Sequence, residues 1–203
     1  MTQRLLLVRH ARTGPDHAGR LLGTTDLSLD TSGKVQARAL GPRVMRHRPQ
    51  VCYCSPLLRC RQTAFMIGAD LPMEFDDELR EVDFGRWENR TFEEVAREDP
   101  PLVDRWASFA ADFCFPGGES LQAFLRRVHA AADRLARADA ATVLVVTHGG
   151  VIRAMLCYWL GLDPRQYVVF HVGYASLAVL DLFGNRGVLT ALEPLEGPEV
   201  DGG

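Results

Sequence analysis

Three short runs in this chain are almost wholly apolar, and each is followed at once by residues that carry chemistry. They lie at residues 5–8, 51–54 and 142–147. Continuous apolarity over four to six positions predicts a strand covered on both faces, as in a parallel sheet wrapped by helices. Helical patterns fill the intervals. The clearest covers residues 120–136, where Leu121, Phe124, Leu125, Val128, Ala132 and Leu135 share one face and Ser120 stands ready to cap the start. Further helices are expected over 31–46, with Gly41-Pro42 kinking or ending it, over 57–69, and over 150–160 with Gly161 closing it. Thr91-Phe92-Glu93-Glu94 matches a capping box, and Pro100-Pro101 opens a stretch reaching Ala110. Late strands are expected over 168–171, 176–182 and 188–192, with Gly184-Asn185 as a turn.

Alternating strands and helices predict an α/β fold, a three-layer α/β/α sandwich on a mostly parallel sheet. A length of 203 residues suits one domain, 1–203. Residues 81–119 are rich in acidic side chains, Pro and Gly and lack a sheet-like run, so they read as a small helical cap inserted over one end of the sheet. The acidic segment 193–203 ends in Asp-Gly-Gly and is expected to fray.

The net charge of −3, from 23 basic and 26 acidic residues, argues against a nucleic-acid partner, which calls for a basic excess. The first 61 residues nevertheless hold 11 basic and only 3 acidic side chains, a balance suited to a small anion. All the basic residues but Lys34 are Arg, either from base composition or because guanidinium makes bidentate contacts to phosphate. Five cysteines without a secretory segment predict reduced thiols, no disulfides and a cytoplasmic setting. No metal-ligand spacing and no span of about 18 apolar residues is present, so neither a metal, a cofactor nor a membrane is expected. Oligomeric state is left open, with a homodimer as one option.

The chemistry collects after the three apolar runs. Arg9-His10 follows the first, Ser55-Pro56-Leu57-Leu58-Arg59 the second and His148-Gly149-Gly150 the third. Parallel strands bring all three to one carboxyl edge, where open α/β sheets bind ligands. Gly149-Gly150 lets the backbone approach an anion at a helix N-terminus, or is a plain strand-to-helix turn. Arg59 either bonds a phosphate or is solvated at the surface.

Taken together, VRHART at 8–13, GRLLGTTDL at 19–27, SPLLRCRQTA at 55–64, LREVDFGRWE at 79–88, PGGES at 116–120 and VTHGGVIR at 146–153 resemble the histidine phosphatase superfamily. That phosphoglycerate mutase-like group includes α-ribazole phosphatases, the branch to which length and the PGGES block make this chain most similar. The resemblance implies a phosphomonoesterase in which His10 takes the phosphoryl group. Arg9, Arg59 and His148 would hold its oxygens, Thr13 and Gly149 would add hydrogen bonds, and Glu81 would give a proton to the leaving group. The substrate would be a small phosphomonoester, such as α-ribazole phosphate, with inorganic phosphate as product and no metal or cofactor.

Elementary chemistry agrees with these roles, since phosphoryl transfer is governed by positioning and positive charge, and neutral imidazole is a competent nucleophile. Glu81 must hold a proton at neutral pH, through burial or a phosphate dianion beside it; the bland alternative is an ion pair with Arg80 or Arg86. Three residues depart from the group's pattern. Ala11 replaces a Gly and would be strained if φ there were positive; Arg12 stands where Glu or Gln is common; and Asp16 replaces an Asn, so its carboxylate must turn away from phosphate or pair with Arg12 or Arg20. Mutase-type phosphotransfer is disfavoured by the acidic stretch between Glu81 and His148, and a weakly active phosphoester-binding protein is the alternative that Ala11 and Asp16 raise. Trp87, Trp106, Phe109, Phe113 and Phe115 either wall a substrate pocket or pack as a core. His17, His47 and His129 read as solvated, and His171 as a core-edge residue of a late strand.

Overall fold

A computed structural model describes residues 2–68, 70–184 and 186–195. Six strands form one sheet: β1 (Gln3–Arg9), β2 (Val51–Cys54), β3 (Met73–Phe75), β4 (Thr142–Thr147), β5 (Leu177–Phe183) and β6 (Arg186–Glu193), in the order β3-β2-β4-β1-β5-β6. The first four run parallel; β5 is antiparallel to β1, and β6 to β5. Helices α1 (Thr31–Met45) and α2 (Leu58–Ile67) cover one face, and α5 (Leu121–Leu135) and α6 (Gly149–Leu160) the other.

Both faces being covered is why the central strands contain no alternation of polar and apolar residues. Leu5, Leu7, Val143 and Val145 enter the core under α5 and α6, whereas Leu6, Val8, Leu144 and Val146 enter the core under α1 and α2. Every one of these eight is fully buried. Burial of a Leu or Val side chain stabilises by about 1.5–3 kcal/mol, so these alternating layers hold the sheet at its centre.

The caps form as the sequence predicts. Ser120 Oγ accepts from Ala123 N–H, Thr91 and Glu94 make a reciprocal capping box at α3 (Phe92–Glu98), and Gly161 ends α6 in the left-handed region. Helix α4 (Pro100–Ala107) starts at its prolines but stops short of Ala110. Ala69 and Asn185, expected to end a helix and form a turn, lie outside the described residues.

Three local expectations are corrected. Helix α1 runs through Pro42. Pro42 deprives Arg38 of its helical partner, but Arg38 faces solvent, where water can take that bond. Gly41 meanwhile lies so close to the Ile67 carbonyl of α2 that a Cβ would fall 2.7 Å from it, and this packing holds the two halves in line. Residues 168–171 are not a strand: Pro164–Val169 is a 3₁₀ turn with Val168 and Val169 exposed, and His171 lies in an exposed loop. The short apolar doublet mimics a strand, but β5 already occupies the position beside β1. Met73–Phe75, unrecognised in the sequence, adds an edge strand beside β2.

Glu193, where fraying was expected to begin, closes β6 and accepts from Arg43 on α1 (2.9 Å) and from Arg46 at its C-cap. Residues 196–203 lie outside the described residues. Among the described residues, no helix is long and apolar enough to cross a membrane.

Candidate active site

Register brings the three chemical segments together. Arg9 pairs with Thr147 across β1 and β4, and Cys54 with Val146 across β2 and β4, so the chain leaves all three strands at one level. His10 N–H then bonds the Thr147 carbonyl (2.9 Å) and Ser55 N–H the Val146 carbonyl (3.0 Å). The two imidazoles, 138 positions apart in the chain, meet with ring centroids 5.2 Å apart and planes at 63°.

His10 is buried, and its Nδ1 lies 2.9 Å from the Ala11 carbonyl. A carbonyl only accepts, so Nδ1 carries the proton and Nε2 keeps its lone pair. Burial, with Arg59 and Arg9 nearby, holds the imidazole well below its ordinary pKa and therefore neutral. His148 has the opposite tautomer: Arg59 Nε donates to its Nδ1 (3.2 Å), leaving Nε2–H to donate to Ser55 Oγ (2.8 Å). Burial and then the Arg59 charge depress this group as well.

Arg59 is not at the surface. It is fully buried, and its guanidinium also donates to the carbonyls of Thr25, Leu22 and Gly23. It ties the GRLLGTTDL segment to His148. Arg9 donates Nη1 to the Val172 carbonyl (2.7 Å) and lies 4.0 Å over the Tyr174 ring, while its buried Nε has no partner among the described residues. Burial lowers its pKa, with Arg153 and Arg59 adding to the effect. Thr13 Oγ1 is likewise buried and unpartnered. Unmatched buried donors are uncommon and call for a ligand or a functional reason.

Glu81 reaches the start of α6, where Oε2 accepts from Gly150 N–H (2.9 Å) and Oε1 from Val82 N–H (3.1 Å). Gly150 is required there, because a Cβ would meet Glu81 Oε1 at 2.5 Å. Neither bland partner engages Glu81: Arg80 pairs with Asp77, and Arg86 with Asp99. Arg127 instead holds the backbone around it, donating to the Glu78, Arg80 and Glu81 carbonyls and to the Glu119 carboxylate.

The departures resolve unevenly. Ala11 is buried and is not among the positive-φ residues, and its N–H bonds Thr63 Oγ1 (3.0 Å), so the strain that a positive φ would bring does not arise. Asp16 lies exposed in a turn outside the pocket wall; Arg20 bonds its backbone carbonyl, and Arg12 pairs with Asp30. Trp106, Phe109 and Phe115 line the pocket, whereas Trp87 and Phe113 pack in the core. His129 is half-buried, stacked on Tyr158 at 4.4 Å.

Sequence reasoning missed Tyr174, Arg153 and Arg127. Tyr174 packs 5.6 Å from the His10 ring, presented by a loop in which Ala175 adopts φ 54°. Arg153 lines the pocket beside Gly149 and Gly150, a placement that the i, i+3, i+4 spacing from those residues could have signalled. The expected lining residues His10, Arg9, Glu81 and Gly149 share this cavity of about 250 Å³; Arg59 and His148 stand behind it, fully buried. Among the described residues no group of three or more His, Cys, Asp or Glu could hold a metal ion.

The family model for the histidine phosphatase superfamily (branch 1) matches residues 5–193. The chain is 34% identical over 192 residues to phosphoserine phosphatase 1 of Hydrogenobacter thermophilus, covering 93% of this chain and 91% of that protein. It is 33% identical over 193 residues to the adenosylcobalamin/α-ribazole phosphatase of Salmonella typhimurium, covering 93% and 95%. The crystal structure of the α-ribazole phosphatase from Shigella flexneri superposes with a TM-score of 0.84 at 27% identity, covering 95% of this chain and 96% of that one. The chain therefore belongs to the histidine phosphatase superfamily. It is a phosphomonoesterase of that phosphohistidine-forming class, on a phosphoglycerate mutase-like fold.

Proposed function

We propose that His10 Nε2 is the nucleophile, with Glu81 as acid and base, for hydrolysis of a small phosphomonoester. The observation that carries this reading is the pair of neutral imidazoles 5.2 Å apart beside the unpartnered Arg9 Nε. In the first step the Nε2 lone pair attacks phosphorus; the P–N bond forms, the P–O bond to the alcohol breaks, and Glu81 passes its proton to the departing alkoxide. Water then attacks phosphorus, Glu81 takes its proton, the P–N bond breaks, and phosphate leaves with His10 neutral again.

The remaining groups stabilise the charge on the equatorial oxygens. Arg9 Nε and Thr13 Oγ1 are donors without a partner among the described residues, and the N-terminus of α6 at Gly149 adds its dipole. His148 offers Nε2–H by exchanging Ser55 Oγ for a phosphoryl oxygen. Arg59 acts mainly from behind, fixing the His148 tautomer and adding positive field. Asp16 has no part in binding. A proton on Glu81 must occupy lone pairs that Gly150 and Val82 leave open.

A net charge of −3 and a concave site support a small-molecule substrate rather than a nucleic acid. Five free thiols support a cytoplasmic setting. α-Ribazole phosphate, for which the Salmonella relative is named, is the first natural substrate to assay. The test is transfer of ³²P from a labelled phosphomonoester in the presence of chelator: acid-labile label on the wild type and none on His10→Ala is expected. Equal labelling or turnover by His10→Ala would remove His10 from the chemistry, and loss of turnover in chelator would overturn the metal-free reading.

A further inference from the structure

Away from the phosphoryl end, the pocket wall is built from Phe84, Trp106, Phe109, Phe115, Phe124 and Tyr167. Phe109 is the unusual member. Helix α4 ends at Ala107 with Ser108 as cap, and the next residue adopts φ 53°, with Phe109 N–H bonded to Trp106 and Ala110 N–H to Arg105. This is the helix-ending motif whose left-handed position ordinarily goes to glycine, because a Cβ there crowds the backbone. A bulky side chain with positive φ is a true outlier, kept only when its surroundings require it.

What it secures is a ring at the pocket wall. The Phe109 ring lies 5.1 Å from Tyr167, so the inserted segment is joined to the 3₁₀ turn after α6. Trp106 continues the wall, 5.4 Å from Phe115 and 6.3 Å from Phe84. The charges in the wall point the same way. Arg20 and Arg153 line the cavity, and its sole acidic side chain among the described residues, Glu81, is held at Gly150. An ammonium group entering here would meet the Arg20 and Arg153 guanidinium groups with, among the described residues, no lining carboxylate free to receive it.

We infer that Phe109 is a specificity-determining residue, held in a strained conformation to complete an aromatic wall that selects phosphomonoesters of apolar, ring-bearing alcohols over those carrying a free ammonium group. This rests on the phosphomonoesterase reading above, but its test separates from it. Suitable probes are 2-phenylethyl phosphate and O-phospho-L-serine, since both release a primary alkoxide and differ in what the wall must contact. The wild type is expected to favour the phenylethyl ester at least tenfold in kcat/KM. Phe109→Gly is expected to reduce that ratio about tenfold with no fall in Tm, because the strain leaves with the ring; Phe109→Leu should retain an intermediate preference.

A wild-type preference for phosphoserine, or a Phe109→Gly variant that loses both substrates equally and melts lower, would overturn the inference and leave Phe109 a packing residue. The same comparison made as Kd values on His10→Ala, with and without Phe109→Gly, reads the wall without the chemistry. If the wild type turns over neither ester, the His10 mechanism fails, while the binding ratio still decides the role of Phe109.

Discussion

The two ends of the pocket are built by opposite means. At the phosphoryl end, groups are buried, hydrogen-bonded and carried on segments pinned to strand termini: His10 by Thr147, Ser55 by Val146, His148 by Arg59. At the alcohol end the wall combines the half-buried rings of Trp106, Phe109 and Tyr167 with the buried rings of Phe84, Phe115 and Phe124, and Phe109 meets Tyr167 at a tilt of 59°. The first arrangement suits a tetrahedral anion held in one geometry; the second rests on side-chain packing rather than on strand hydrogen bonds. If the proposed roles hold, chemistry depends on the sheet's carboxyl edge, and substrate choice on the aromatic wall to which segment 81–119 contributes.

The sharpest way to break this contrast is Glu81→Gln, which keeps the shape and the Gly150 contact but removes the transferable proton. Hydrolysis of an alkyl phosphate should fall about 10²–10⁴-fold, while p-nitrophenyl phosphate, whose leaving group needs no proton, should lose far less. An equal loss on both would show that Glu81 only positions the helix.

Arg59→Met tests whether the phosphoryl end is also the structural keystone. It strands the Leu22, Gly23 and Thr25 carbonyls and His148 Nδ1, and each buried unpaired group costs about 1–3 kcal/mol. A loss of about 3 kcal/mol or more is expected in urea unfolding; a loss under about 1 kcal/mol would show that the network is dispensable.

The buried histidines predict a pH dependence of stability. In the native state His10 and His148 stay neutral well below their ordinary value, whereas the unfolded chain binds protons near pH 6.5. Stability contributed by these groups is thus fully present above pH 6.5, declines as pH falls below it, and levels off once the native groups also protonate. Unfolding midpoints measured from pH 7.5 to 5 should fall less steeply for His10→Ala than for the wild type. The same slope in both would mean that His10 is protonated in the native state.

The smallest effect belongs to the segment 81–119. Thr91→Ala removes the cap on α3 and should lower stability by about 1 kcal/mol, measured by thermal unfolding, with kcat on small esters nearly unchanged. A large fall in kcat would show that this segment is coupled to the chemistry after all.

The meeting of the three segments at one sheet edge was legible in the sequence because its determinants are local. Apolar runs mark strands buried on both sides, and the residues immediately after each run reach the same edge whatever the rest of the chain does. Ser120, Thr91 with Glu94, and Gly161 signalled their helix ends for the same reason, since a cap answers donors or carbonyls within a few positions of itself. The residues that hold the site from a distance left little trace. Arg127 reads as the polar side of an amphipathic helix, yet it fastens the loop bearing Glu81. Val168 and Val169 read as strand and are exposed on a turn.

Order along the chain, strand burial and the identity of the reactive side chains are thus determined by sequence, because neighbouring residues settle them through backbone hydrogen bonding and the need to bury apolar surface. Which imidazole nitrogen bears the proton, how Pro42 remains helical, and why Phe109 accepts a glycine's conformation were decided only by tertiary structure. Each depends on partners far away in the chain, and the free energy that fixes them exists only once those partners have met.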